Sequence, residues 1–245
     1  MDKLGISHPG KIGDTLYAVP IAREVCKRHG TTCDFYTSEY CLPLKRLLEY
    51  QPFIDKVIVP GAYEIDNMGC GIQPWDMPVP NIYERIYSLG FRRVPDRPLH
   101  EFIAASIGLG GELEIKYDYP NLDIPDEDYI VLSARGETTY KDLFLDIIEK
   151  SPIRVIQIGA AGEAIGDDTG ITGLDMLETL AWIAKSKAYI GLMSSQLVLA
   201  NGFPIPKVAP HDGRSWDMRH VVYSEYNHYP INPNPETVFR LVGLS

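Results

Sequence analysis

Gly10-Lys11-Ile12-Gly13-Asp14-Thr15-Leu16 follows the first apolar run, Leu4-Gly5-Ile6, and opens an amphipathic segment through Ala18, Ile21, Ala22 and Val25. The pattern predicts a strand over Leu4 to Ser7, a glycine-flanked turn, and a helix from Asp14 to Arg28. In an open α/β sheet such a turn lies at the carboxyl ends of the strands, where ligands bind. Asp14 has two readings there. Asp is a favoured helix N-cap; a carboxylate at that edge is also placed to take a proton from a substrate hydroxyl.

Working outward, strand and helix patterns alternate along the chain, the signature of parallel α/β layers. Further strands are expected at Cys33 to Thr37, Lys56 to Val59 and Tyr83 to Ser88, and helices at Leu42 to Tyr50 and His100 to Ile107. From Gly61 to Pro80 the chain is rich in Gly, Pro, Asn and Asp around Trp75, which reads as a long functional loop. The polar, proline-marked run Asn121 to Asp128 separates two halves. The second half reads as strand Tyr129 to Ser133, helix Tyr140 to Lys150, strand Arg154 to Ile158, helix Met176 to Ser186 and strand Ala188 to Leu192. Helix Ser194 to Asn201, strand Pro206 to Ala209 and helix Pro235 to Val242 complete it. The expectation is two Rossmann-like α/β domains with parallel sheets, residues 1–125 and 126–245, facing a cleft.

The bulk properties fit an ordinary globular protein: 245 residues, 45% apolar and 23% charged. A net charge of −10 argues against broad attraction to nucleic acid or anionic lipid. No apolar run approaches the roughly 18 residues that a membrane span needs, and Asp2 and Lys3 lead straight into the first strand without a signal-peptide pattern. A cytoplasmic protein is expected. Cys26, Cys33, Cys41 and Cys70 lack metal or redox spacing and read as reduced thiols. Asp167-Asp168 and Asp126-Glu127-Asp128 read as solvated turns, so no metal site is expected.

Three sheet-edge turns in the second half are suited to an anion or a nucleotide. Tyr129 to Gly136 feeds a small-residue turn, so Ser133, Arg135 and Lys141 converge on one strand end. Ile190 to Gln196 is a second strand-turn-helix, where amides and the Ser194 and Ser195 hydroxyls are donors for phosphate, with Gln196 next to them. Capping is the alternative for these serines. Gly159-Ala160-Ala161-Gly162 is the third turn, small enough for a base or ribose to approach. On the first-half side, His8, Lys11 and Trp75 are acceptor candidates, along with Tyr63, Tyr83 and the Phe91 to Arg97 segment.

With these residues placed, the chain resembles the heptosyltransferase-like family of GT-B glycosyltransferases. Gly13-Asp14-Thr15-Leu16 followed by Pro20 is similar to that family's G-D-x-[hydrophobic]-x-x-x-P signature. Thr169-Gly170 with Leu177-Glu178-Thr179-Leu180-Ala181 and Ile183-Ala184 is similar to a second block, and Ser194 to Pro204 matches a third in part. Met193, Ser195 and Val198 depart from that third block, where the family has Asp, Gly and His; His211 or Arg214 would then supply the missing donor contact.

The resemblance implies a GT-B fold and inverting, metal-independent sugar transfer from a nucleoside-diphosphate sugar, with no further cofactor. Asp14 would be the base, Lys141 a phosphate contact and Glu178 a nucleotide-proximal residue. The implied acceptor is a saccharide hydroxyl. Alternatives are a hydroxymethylated base in DNA, a nucleotide-binding module without transfer, and a sugar-nucleotide epimerase.

Overall fold

The opening run forms strand β1 (Leu4–His8), which turns through Pro9 and Gly10 into helix α1 (Ile12–His29). The computed structural model describes residues 3–60, 77, 79–91, 95–111, 113–134, 139–166, 170–213 and 221–244. Helix α1 begins two residues before the expected start, with Lys11 at the N-cap. It stops at Gly30, whose φ of 62° lets the turn close: Gly30 N–H bonds Lys27 O at 3.2 Å and Thr31 N–H bonds Cys26 O at 3.1 Å.

Pro20 lies inside α1 and has no N–H for the carbonyl of Leu16, one turn earlier. The buried Tyr117 hydroxyl donates to that oxygen at 3.2 Å. Burial raises the pKa of Tyr117, so the phenol keeps the proton it donates. A side chain a hundred residues away thus fills the bond that proline removes.

The first sheet continues with β2 (Cys33–Thr37), β3 (Ile54–Ile58) and β4 (Arg85–Ser88), in the order β3-β2-β1-β4, all pairs parallel. The single helix expected from Leu42 to Tyr50 is two pieces, a 3-10 helix over Glu39–Leu44 and the short α2 (Lys45–Glu49). Pro43 has no N–H to bond the Glu39 carbonyl four residues earlier, so the α-helical pattern of α2 does not extend back over Glu39–Leu44. Helix α3 (Leu99–Ser106) packs against α1, with His100 stacked on Tyr17 at 5.7 Å between centroids.

The second sheet contains β5 (Tyr129–Ser133), β6 (Arg154–Gly159), β7 (Ile171–Thr172), β8 (Ala188–Gly191), β9 (Lys207–Val208) and β10 (Asn227–His228). Its order is β10-β9-β8-β5-β6-β7, again parallel throughout. Helices α4 (Lys141–Lys150), α5 (Met176–Lys185), α6 (Ser195–Ala200) and α7 (Pro235–Leu241) accompany it. Ile130, Leu132, Phe144, Ile147, Ile190 and Val238 are among the buried residues of its core. The two-residue strands β7 and β10 are too short to leave an apolar period and were not expected.

The chain divides into two compact units, Met1–Tyr119 with Met218–Val221, and Pro120–Asp217 with Val222–Ser245. Before the division, Asp118 is tied to the first unit by Arg23 at 2.7 Å and by Gln51 through its backbone. After it, Leu122 O accepts from Lys185 Nζ at 3.0 Å in the second. No helix among the described residues is long and apolar enough to cross a membrane.

Candidate functional site

Asp14 is the third residue of α1, at the carboxyl end of β1, and is 9% exposed. It is not the cap: the N-cap is Lys11, which makes no side-chain capping bond. Of the two readings of Asp14, N-cap residue is therefore excluded. The turn that carries it is fastened from below. Ser38 Oγ and Cys41 Sγ both donate to Gly10 O, at 3.0 and 3.2 Å, and Thr15 Oγ1 meets Cys41 Sγ at 3.1 Å. Burial, and in smaller part the charge of Asp14, push the Cys41 thiol up, which keeps it a donor. Cys41 was read from the sequence only as a reduced thiol. Its role depends on a contact 26 residues distant, which no local pattern carries.

His8 is fully buried at the end of β1. Its Nδ1 accepts from Gly10 N–H at 3.0 Å and faces Thr15 Oγ1 at 3.3 Å, which places the neutral-ring proton on Nε2, a buried atom without a hydrogen-bond partner among the described residues. Burial lowers its pKa to about 3. The neutral ring is thus a structural part of the turn, beneath the surface on which Lys11 is exposed. Trp75, Tyr63 and Arg92-Arg93 lie outside the described residues. Tyr83 is engaged: its ring lies where a Cβ on Gly5 would come within 2.8 Å, and its hydroxyl donates to Asp34 Oδ2 at 2.8 Å. Phe91 is buried edge-on against Phe102. Phe91 is closed to a ligand, whereas Tyr83 remains partly exposed.

In the second unit the parallel register brings the ends of β5, β6 and β8 to one sheet edge. Ser133 closes β5, fully buried, with its Oγ lacking a hydrogen-bond partner among the described residues. Beside it Gly191 closes β8; a Cβ there would sit 2.7 Å from Tyr189 Oη and 2.8 Å from Ser133 O, so only glycine fits. Lys141 is the first residue of α4 and exposed, while Arg135 lies outside the described residues.

The serines of the β8–α6 turn behave differently from the expectation. Ser194 holds the N-cap position without a side-chain capping bond, and both Ser194 Oγ and Ser195 Oγ donate to Gln196 Oε1, at 2.9 and 3.1 Å. Their protons are therefore turned toward Gln196. The β6 turn is also occupied. Glu163 Oε2 accepts from Ala160 N–H at 2.8 Å, and a Cβ on Gly159 would lie 2.7 Å from that oxygen. Sequence reading missed Glu163, because its signal is a glycine four residues earlier and not a motif. Glu178 is engaged in a capping box with Asp175 at the start of α5. His211, a proposed substitute donor, has both ring nitrogens in use, on Gly213 N–H and Tyr229 O at 3.0 Å each; Arg214 is outside the described residues.

Among the described residues no three His, Cys, Asp or Glu side chains gather closely enough to hold a metal ion. A cavity of about 340 Å³ runs along Pro20, Arg23, Lys27 and Leu109, the half of α1 remote from Asp14.

No protein-family model and no curated protein sequence matches the chain. Solved structures do. A glycosyl transferase family 9 protein from Veillonella parvula DSM 2008 superposes with a TM-score of 0.70 at 11% identity, over 100% of this chain and 98% of that one. The iron-containing dodecameric glycosyltransferase TibC from enterotoxigenic E. coli H10407 gives 0.65 at 17% identity over 92% of this chain, which spans only 62% of the length of TibC. The E. coli heptosyltransferase WaaC with ADP gives 0.63 at 11% identity, over 98% and 97% of the two chains. At these identities the likeness is one of fold. The chain has the GT-B fold of the heptosyltransferase-like glycosyltransferases.

Proposed function

We propose that the protein is a glycosyltransferase that moves a sugar from a nucleoside-diphosphate sugar to a saccharide hydroxyl, with inversion and without a metal ion. The observation that carries this reading is Asp14, a nearly buried carboxylate that does not hold the N-cap position, on a fastened turn at the carboxyl end of β1. The family resemblance at Gly13-Asp14 and Pro20 supports the same role.

In the proposed step the acceptor oxygen attacks the anomeric carbon as Asp14 takes its proton. The bond from that carbon to the diphosphate oxygen breaks, and the electron pair leaves with the diphosphate. Lys141 and Arg135 supply positive charge for it, and the backbone amides around Ser194 supply fixed donors; one such preorganised donor contributes roughly 3 kcal/mol to a transition state. Glu163, four residues beyond the end of β6, would in this reading accept from ribose hydroxyls, as acidic residues near the end of the second strand do in dinucleotide folds. TibC has been solved with ADP-D-beta-D-heptose and WaaC with ADP, which makes ADP-heptose the first donor to test.

The experiment is a thermal-shift panel of nucleoside diphosphates and their sugars, followed by turnover of whichever donor binds against a set of saccharides. A ligand at a hundred times its Kd stabilises the folded state by about 2.7 kcal/mol, a readily measured rise in Tm. The expected result is stabilisation by one nucleoside family and diphosphate release that requires a saccharide. Release without any acceptor would favour the epimerase, binding without release the module, and no stabilisation by any member would overturn the reading.

A further inference from the structure

We propose that Cys26 and Cys33 form a modification site, a thiol pair that closes to a disulfide on oxidation by hydrogen peroxide and ties the end of α1 to the start of β2. The proposal is independent of the transferase reading.

Six residues separate the two cysteines, a spacing that carries no redox motif in the sequence. The fold brings them together. Helix α1 ends at Gly30, whose left-handed backbone reverses the chain into β2 within three residues. Cys26, near the end of the helix, and Cys33, the first residue of the strand, both lie on the buried side of that reversal, 2% and 0% exposed. They converge on one carbonyl: Cys33 N–H bonds Phe53 O at 2.9 Å, and Cys26 Sγ donates to the same oxygen at 3.8 Å. The two thiols are hydrogen-bonded to each other. A disulfide bond is about 2 Å long, so sulfurs already in contact need only a short approach.

The pair is asymmetric. The hydrogen bond from Cys33 lowers the pKa of Cys26 in spite of burial; the same bond, with burial added, raises that of Cys33. Cys26 is the sulfur that ionises first, and the thiolate is the nucleophile. Lys27, Arg28, Gly30 and Thr32 between the two cysteines are exposed, so fraying of the last helical turn admits a molecule as small as peroxide. The Cys26 thiolate attacks a peroxide oxygen and the O–O bond breaks. The departing hydroxide takes up the proton that Cys26 released, which gives water and a sulfenic acid. Cys33 sulfur then attacks Cys26 sulfur, the S–O bond breaks, and hydroxide leaves with the Cys33 proton as a second water. Two thiols are oxidised and one peroxide is reduced. Cys41 does not compete, because it is held by Gly10 O and Thr15 Oγ1 at the opposite end of α1.

The test is peroxide treatment of the folded wild-type chain, then alkylation of the remaining thiols and tandem mass spectrometry of the digest. The expected product is a monomer lighter by two hydrogens, with Cys26 linked to Cys33, Cys41 alkylated, and both thiols recovered by dithiothreitol. Free Cys26 and Cys33 after treatment, a link from either to another cysteine, or a Cys26–Cys33 link that forms only in urea overturns the proposal. This mapping requires no variant to fold. Two variants then test the order of events. Cys33→Ser, treated in the presence of dimedone, should form no link and carry the trapped sulfenic acid on Cys26. Cys26→Ser should leave Cys33 at least tenfold slower to oxidise than in wild type; oxidation of Cys33 at the wild-type rate there overturns the pair as well.

Discussion

Lowering the pH from 7.5 to 5 should weaken the first unit by about 4 kcal/mol, through two buried histidines. His8 is fully buried and His100 nearly so, and burial lowers their pKa values to about 3 and about 4, for His8 against a smaller upward effect of a backbone hydrogen bond. Unfolded, each titrates near 6.5. Between the folded and unfolded values the unfolded chain binds the extra proton, so stability is complete above 6.5 and falls as the pH drops below it. At pH 5 each histidine lies about 1.5 pH units below its unfolded value, which costs about 2 kcal/mol apiece. A domain with 5–15 kcal/mol in hand would lose a large fraction of its stability over this window.

The control is His100→Phe, which keeps the ring stacked on Tyr17 and replaces an Nδ1 that has no hydrogen-bond partner among the described residues. Hydrogen exchange followed by mass spectrometry on peptides from β1 and α1, at pH 7.5, 6.5, 5.75 and 5, reads the opening free energy once intrinsic exchange rates are corrected. The wild-type loss should be about 4 kcal/mol and the His100→Phe loss about 2 kcal/mol. A wild-type value flat across the range, or a variant that keeps the full dependence, refutes the reasoning.

Two further outcomes are expected from the local structure. Tyr117→Phe strands the buried Leu16 carbonyl and should cost about 1–3 kcal/mol in urea unfolding, whereas the same change with Pro20→Ala, which restores a helix N–H, should cost clearly less; additive losses would deny the link. Asp175→Ala removes the cap of α5 and should lower stability by about 1 kcal/mol, measured by the same titration.

Much of the fold was legible because its central strands are short, mostly apolar runs bounded by turn residues. Leu4 to Ser7, Cys33 to Thr37 and Tyr129 to Ser133 are buried along their whole length, as parallel strands covered on both faces must be. Two-residue edge strands such as Asn227–His228 have no period to read, and they form because a neighbouring backbone is already in place. The Asp14 turn was legible as a position but not as a structure. Its supports, Ser38 and Cys41, come from the element after β2, and the bond that completes Pro20 comes from Tyr117. The serines beyond β8 show the opposite case. Their sequence suits a phosphate turn, yet the hydroxyls turn to Gln196, a choice made by one neighbouring side chain.

The most direct test of the central claim is the acceptor-dependent release of nucleoside diphosphate by Asp14→Asn beside the wild type, with donor affinity measured on both proteins. Loss of a general base predicts a fall of about 10²–10⁴-fold in turnover with donor affinity within twofold. Turnover within a few-fold of wild type would contradict the assignment of Asp14 as the base, whatever the donor proves to be.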